Sequence, residues 1–231
     1  MKNSRRILLL ALLAAAAVSA WAAGANEDGA GTAAAPNQYN DESDFRASPQ
    51  SGGESVVITR YIGSKFAVSI PPRIQKLPVT SIGKDSFRNC TDVLSVIMPS
   101  GVTSIGSWAF YGCRNLNSVT MPGSVTSIGN NAFEGCRSLA SIIIPGSVAS
   151  IGDYTFEGCR SLASIIIGSG VKKIGEGAFS NCPLTSVTFQ GDITSADFFD
   201  AFGGDLRGKY LSGGPGMYTR PTSSSYAWTK Q

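Results

Sequence analysis

At 231 residues and 42% hydrophobic content, the chain can build one cored domain plus appendages, and its 15% charged content is low. Net charge is +3, but Lys2, Arg5 and Arg6 lie within positions 1–23, which hold no acidic side chain, so the remainder is near neutral. Neutrality gives no electrostatic basis for nucleic acid or an anionic membrane as main partner, and the absence of histidine removes imidazole-activated nucleophiles, histidine zinc ligation and histidine acid–base catalysis.

Residues 1–23 read as an export signal. A basic start precedes the apolar run Ile7 to Ala17, and Ala20-Trp21-Ala22 offers a small-residue cleavage site. The run is too short for the roughly 20 apolar residues of a membrane span, so no integral membrane segment is expected after cleavage. No cysteine precedes Cys90, which excludes an acylated cysteine just after the signal. Residues 24–53 are Ala, Gly, Ser, Pro and short polar residues, a composition that cannot offset its ordering entropy; they are expected to form a flexible linker.

From Val79 the chain repeats with a period of 23 for five copies, starting at Val79, Val102, Val125, Val148 and Val171. The same spacing links Ile82, Ile105, Ile128, Ile151 and Ile174, then the five phenylalanines from Phe87 to Phe179, then Cys90, Cys113, Cys136, Cys159 and Cys182; the last copy is one residue short after its cysteine. Within a copy, Val119-Thr120-Met121 and Ile142-Ile143-Ile144 alternate as strands do, and Pro122 or Pro145 ends the strand. The Ile-Gly pair turns the chain, and Trp108-Ala109-Phe110 has room only for a helical turn, so the convex side is expected to be a short helical turn or irregular. No copy can bury its own apolar face, so the columns imply a solenoid with one short parallel strand per coil, about 25 Å long over five coils.

The pattern carried by Leu139, Ile142, Ile144, Pro145, Val148, Ile151, Gly152, Phe156 and Cys159 resembles the BspA-like, or treponemal-type, leucine-rich repeats of bacterial surface proteins. Thr155 departs from the Ala of that pattern. Residues 54–78 look like the family's opening half-repeat, with Val68 and Ile70-Pro71 in strand phase and five extra residues before Val79. The resemblance spans about residues 55–192 and implies a leucine-rich-repeat fold and a surface-exposed adhesin or binder of host components; a shared fold does not by itself assign function. The domain reading is then signal 1–23, linker 24–53, cap half-repeat 54–78, five repeats 79–192 and a C-terminal tail 193–231. The tail breaks the period and holds Phe198, Phe199, Phe202, Leu206, Tyr210, Tyr218, Tyr226 and Trp228, an aromatic set suited to covering the last coil, with envelope attachment as the rival role.

Metal ligands must converge, whereas these cysteines form a line, and stacked coils hold neighbouring Cβ vectors parallel, unsuited to disulfides. They are expected to be reduced and buried as small apolar filling. Gly203 to Lys209 has the spacing of a phosphate loop, but Tyr210 stands where Ser or Thr should ligate magnesium and Asp205 would face the phosphates, so a turn is expected. Arg114, Arg137 and Arg160 form a convex ladder that would suit phosphate or sulfated glycans, but they are expected to be solvated charges paired with Glu134 and Glu157 at i,i+3.

The remaining binding feature is the outward strand column Ile97, Thr120, Ile143, Ile166 and Thr188, where three isoleucines stack on an exposed face. Thr103-Ser104, Thr126-Ser127, Ser150 and Lys172-Lys173 are expected beside it. No catalytic residue, metal site or cofactor site is assigned. The sequence thus points to an exported, non-catalytic scaffold at the cell surface or secreted, with the periplasm also open, whose partner is an extracellular or envelope protein or glycan. The alternative is a structural envelope protein contacting itself or a sister chain.

Overall fold

The computed structural model describes residues 39–193, 201–202 and 204–231. The expected signal peptide, and the linker before residue 39, lie outside these residues. The coils contribute two short parallel strands each, separated by a corner at Pro71, Pro99, Pro122, Pro145 or Gly168. The first set comprises β3 (Ala67–Ser69), β6 (Ser95–Ile97), β8 (Ser118–Thr120), β10 (Ser141–Ile144), β12 (Ser164–Ile167) and β14 (Ser186–Phe189). The second comprises β5 (Leu77–Ile82), β7 (Ser104–Ile105), β9 (Ser127–Ile128), β11 (Ser150–Ile151) and β13 (Lys173–Ile174). Equivalent residues of successive coils pair in register, as Ile142 with Ile165 and Ile105 with Ile128. The extra residues before Val79 form β4 (Arg73–Ile74), which folds back antiparallel on the start of β5.

The second sheet adds a strand to the one expected per coil. Ile-Gly was expected only as a turn, because a two-residue strand is too short to show alternation. Thr103-Ser104, Thr126-Ser127 and Ser150 therefore belong to this sheet and are not flanks of the first. There Thr103 and Thr126 Oγ1 donate to the carbonyls of Thr80 and Thr103, both at 3.1 Å. The following glycine is required by coil spacing: a Cβ at Gly152 would lie 2.7 Å from the Asn130 backbone nitrogen, and one at Gly106 the same distance from that of Lys84.

Of the two forms expected for the convex side, the irregular one is found, with no helix in the repeats among the described residues. Two residues per coil adopt positive φ: Asp85, Trp108, Asn131, Tyr154 and Gly177 in one column, Asn89, Gly112, Gly135, Gly158 and Asn181 in the other. Asn and Gly are the residues that tolerate this region best; Trp108 at φ 56° and Tyr154 at φ 55° are held there against their own preference. The holding force is a ladder between coils, in which Phe110, Phe133 and Phe156 N–H donate to the carbonyls of Ala132, Thr155 and Ala178 at 2.7–2.8 Å. Behind it the phenylalanine rings stack, with centroids 4.9–5.3 Å apart from Phe87 to Phe179.

That column outruns the five copies at both ends. Tyr61 stacks on Phe87 at 5.1 Å, and Phe202 on Phe179 at 4.6 Å. Phe202 follows Phe179 by one full period, and Phe179 N–H donates to the Ala201 carbonyl, so the repeat continues to 202 instead of breaking at 193. A count of whole copies misses this sixth phenylalanine because the Val and Ile columns do not continue to it: Thr194 and Asp197 stand 23 residues after Val171 and Ile174.

Part of the linker reading is also corrected. β1 (Phe45–Pro49) pairs antiparallel with β2 (Val56–Tyr61), which heads the second sheet through β5. Phe45 is buried against Tyr61, centroids 5.5 Å apart, and so closes the first coil. Asn40 caps the edge of β3: its N–H donates to the Ser69 carbonyl and its Oδ1 accepts from Ser69 N–H. Phe45 and Asn40 thus tie residues 40–49 to the first coil, although their composition reads as that of a linker.

At the other end, helix α1 (Leu206–Gly213) and strands β15 (Gly216–Thr219) and β16 (Thr229–Lys230) cover the last coil, β15 pairing antiparallel with β14. Leu206, Tyr210, Tyr218 and Trp228 are buried, while Tyr226 is exposed. Tyr210 Oη donates to the Gly191 carbonyl and accepts from Ile193 N–H. Arg220 lies over the Trp228 ring and donates to the carbonyls of Leu184 and Ser225, tying the cap to the last repeat. Phe198 and Phe199 lie outside the described residues.

Candidate functional site

Alternation along the first strand set sends Val96, Ile142, Ile144, Ile165 and Ile167 into the core and turns the residues between them outward. Of the predicted column, Ile143 is 58% and Ile97 42% exposed; Thr120, Ile166 and Thr188 are half-buried. The three isoleucines do not form one stack. Thr120 stands between Ile97 and Ile143, and the strand ladder parts there: β3, β6 and β8 form one sheet, β10, β12, β14, β15 and β16 another. At this seam Val119 and Met121 are only partly buried. Ile143 and Ile166 are register partners in adjacent strands, and Thr188 pairs beside Ile166.

The fold extends this face with residues outside the repeat columns. Met217, 39% exposed, is the register partner of Thr188 in the antiparallel strand β15. At the other end Leu94 N–H donates to the Phe66 carbonyl just ahead of β6 and β3, and the two side chains are 41% and 61% exposed. Neither could be found by period counting, since Met217 sits on a cap strand of reversed direction and Phe66 in a coil with five inserted residues. An outward residue of large apolar type next to a strand is the signal they share. Alongside runs a hydroxyl row of Ser95, Ser118, Ser141, Ser164 and Ser186.

On the convex side Arg114, Arg137 and Arg160 are exposed, as expected, but their pairing with glutamate is not formed. Among the described residues the ion pairs within 4.0 Å are Lys65–Asp44 and Arg88–Asp85. Glu134 accepts instead from Asn131 Nδ2 at 2.7 Å. The left-handed residue between Glu134 and Arg137 bends the backbone, so i,i+3 neighbours do not share a helical face. The arginines line an open groove of about 740 Å³ with Tyr111, Asn181 and Ser223, above Gly112, Gly135 and Gly158.

All five cysteines are free, and Cys113, Cys136 and Cys159 are fully buried. They do more than fill space. Sγ of Cys113, Cys136, Cys159 and Cys182 donates to the carbonyls of Phe87, Phe110, Phe133 and Phe156 at 2.9–3.2 Å. A thiol is small enough for the column and still offers a donor to a carbonyl of the preceding coil. Burial pushes the Cys113 thiol up to about 12 and those of Cys136 and Cys159 well above their ordinary range, so they stay protonated. Among the described residues no group of His, Cys, Asp and Glu is arranged to hold a metal ion. In the loop with phosphate-loop spacing, Asp205 Oδ1 accepts from Trp228 N–H and Lys209 lies within α1, so this segment serves the cap.

The model of the BspA type leucine rich repeat region matches residues 80–202 in six copies, in agreement with the phenylalanine column ending at Phe202. The crystal structure of a leucine rich repeat protein of T. pallidum is similar, with a TM-score of 0.64 and 36% identity over 65% of this chain and 71% of that one. A leucine rich cell surface protein from Faecalibacterium prausnitzii A2-165 superposes with a TM-score of 0.50 and 29% identity, covering 73% of this chain; the match spans only about half, 53%, of that protein. No curated protein sequence matches the chain. Repeat length, the in-register coils, the stacked phenylalanines and these matches converge: the chain belongs to the BspA-type leucine-rich-repeat family.

Proposed function

We propose that this protein is an exported, non-catalytic binding scaffold that presents its first strand set, at the cell surface or in secreted form, to an extracellular protein or glycan. The observation that carries the reading is the outward apolar residues Ile97, Ile143 and Met217 on a strand face that also carries Ile166 and a row of serines and threonines. Side chains of this size gain little in water; against a partner each contributes the transfer energy of its area, and such contacts concentrate binding in a few residues. Thr120, Ile166 and Thr188 complete the contact column. The cell-surface description of the F. prausnitzii relative supports surface presentation here.

The test is adhesion of the purified chain to immobilised extracellular matrix proteins and uncharged glycans. The double substitution Ile143→Lys/Ile166→Lys adds charge on outward positions, so the fold should survive, judged by circular dichroism and melting. Binding should be lost, because the contact would bury two unpaired ammonium groups. Arg137→Ala, on the convex side, should bind as wild type. A folded double variant that adheres normally overturns the assignment. Wild type that binds no surface but self-associates through this face favours the envelope-structural role. Protease accessibility on intact cells distinguishes surface presentation from periplasmic retention.

A further inference from the structure

The convex groove makes a second, separate case. Its floor is formed where successive coils hydrogen-bond: the N–H groups of Gly112, Gly135 and Gly158 donate to the carbonyls of Glu134, Glu157 and Ser180 at 2.8–2.9 Å. These amides are spent, so the groove binds through side chains. The same ladder sets the spacing, placing Arg114, Arg137 and Arg160 about 4.8 Å apart along the solenoid, a row of roughly 10 Å. All three are exposed and form no ion pair within 4.0 Å among the described residues. Glu134 and Glu157 also line the groove, but Glu134 is turned toward Asn131. A row of planar forks without carboxylate partners matches regularly spaced oxyanions.

We propose that this arginine row binds a linear anionic glycan, sulfated or uronate-bearing, laid along the solenoid axis. A glycan fits better than nucleic acid or an acidic peptide. The groove offers the amides of Asn89 and Asn181 and the hydroxyl of Ser223, suited to sugar hydroxyls. Tyr111 is its one aromatic residue, and the Arg88 guanidinium already lies over a face of that ring at 4.7 Å, a poor platform for successive stacked bases. Overall neutrality does not oppose this, because a local row of like charge acts within a Debye length of about 8–10 Å.

The test uses the purified chain on immobilised heparin, a sulfated linear polysaccharide, over a range of salt, with desulfated heparin, polyglutamate and single-stranded DNA as competitors. Wild type should bind, and Arg114→Gln/Arg137→Gln/Arg160→Gln should weaken binding at least tenfold and lower the slope of log affinity against log salt by about 2. Arg46→Gln/Lys76→Gln/Lys209→Gln, which removes the same charge elsewhere, should retain most of the affinity. Glu134→Gln/Glu157→Gln should bind more tightly. The strand-face variant Ile143→Lys/Ile166→Lys should keep wild-type heparin binding, so this site and the strand face can fail independently. No wild-type binding, equal loss in the control triple, or equal competition by polyglutamate or DNA each overturns the proposal.

Discussion

Phe133→Ala tests the stacking that the whole architecture depends on. The Phe133 ring is fully buried, nearly parallel to Phe110 at 5.0 Å and 6° and to Phe156 at 5.3 Å and 4°. Truncation removes the ring from both neighbours and leaves a void the backbone cannot close, because the Phe133 N–H is tied to the Thr155 carbonyl at 2.8 Å and its own carbonyl accepts the Cys159 thiol. Such a substitution costs about 3–5 kcal/mol, and the loss of two ring pairs, each worth about 0.5–1.5 kcal/mol, places it toward the upper end. For a domain of this size that lowers Tm by roughly 6–20 °C. Since each coil is stabilised only by its neighbours, the void also weakens coupling between the two halves, and unfolding should broaden. The assay is thermal unfolding by circular dichroism, with Phe202→Ala, at the end of the column, as the milder comparison. An unchanged midpoint for Phe133→Ala would refute the stacked column as the source of stability.

Gly152→Ala should destabilise by about 1–3 kcal/mol by overpacking, since its Cβ would meet backbone of the preceding coil, while Gly123→Ala, with open space around it, should be neutral in the same denaturation experiment. Because folded Cys113, Cys136 and Cys159 ionise far above an unfolded thiol, stability is intact below about pH 9 and falls as pH rises from there toward about 12, by up to about 1.4 kcal/mol per pH unit for each thiol; urea unfolding at pH 7.5 and 10 measures this, and Cys113→Ala should flatten the dependence. Native alkylation followed by mass spectrometry should modify half-buried Cys90 and Cys182 first and the three inner thiols only after unfolding; disulfide-linked peptides would contradict this. Truncation after Ile193 strips β15 from β14 and bares Val187 and Phe189, so the product should aggregate; a monomer of normal Tm by light scattering and calorimetry would show that the cap is dispensable.

Periodicity made most of the fold legible. Val, Ile, Phe, Cys and Leu recurring once per copy specify which positions face inward, because a repeat can bury its apolar side only against a copy of itself, and the alternation around Thr120, Ile143 and Ile166 identifies the outward column. Several features rest on relations between coils that a single copy does not display. The two-residue strands at Ser104-Ile105 exist only through their partners above and below. The Ile-Gly glycine is required by the next coil's backbone, and the cysteine by a carbonyl one coil away. Left-handed backbone at residues such as Asn131 and Gly135 separates the arginines from the glutamates that sequence spacing pairs with them, and so leaves the Arg114–Arg137–Arg160 row open. The ends were least legible, since Phe45, Asn40 and Met217 are aperiodic and Phe202, though in period, stands where the Val and Ile columns have stopped; they take their roles from the exposed coil faces they cover or extend. Repetition in the chain determines the column; the surfaces where repetition stops, and the turns that aim its charged residues, are decided only when the coils are stacked in three dimensions.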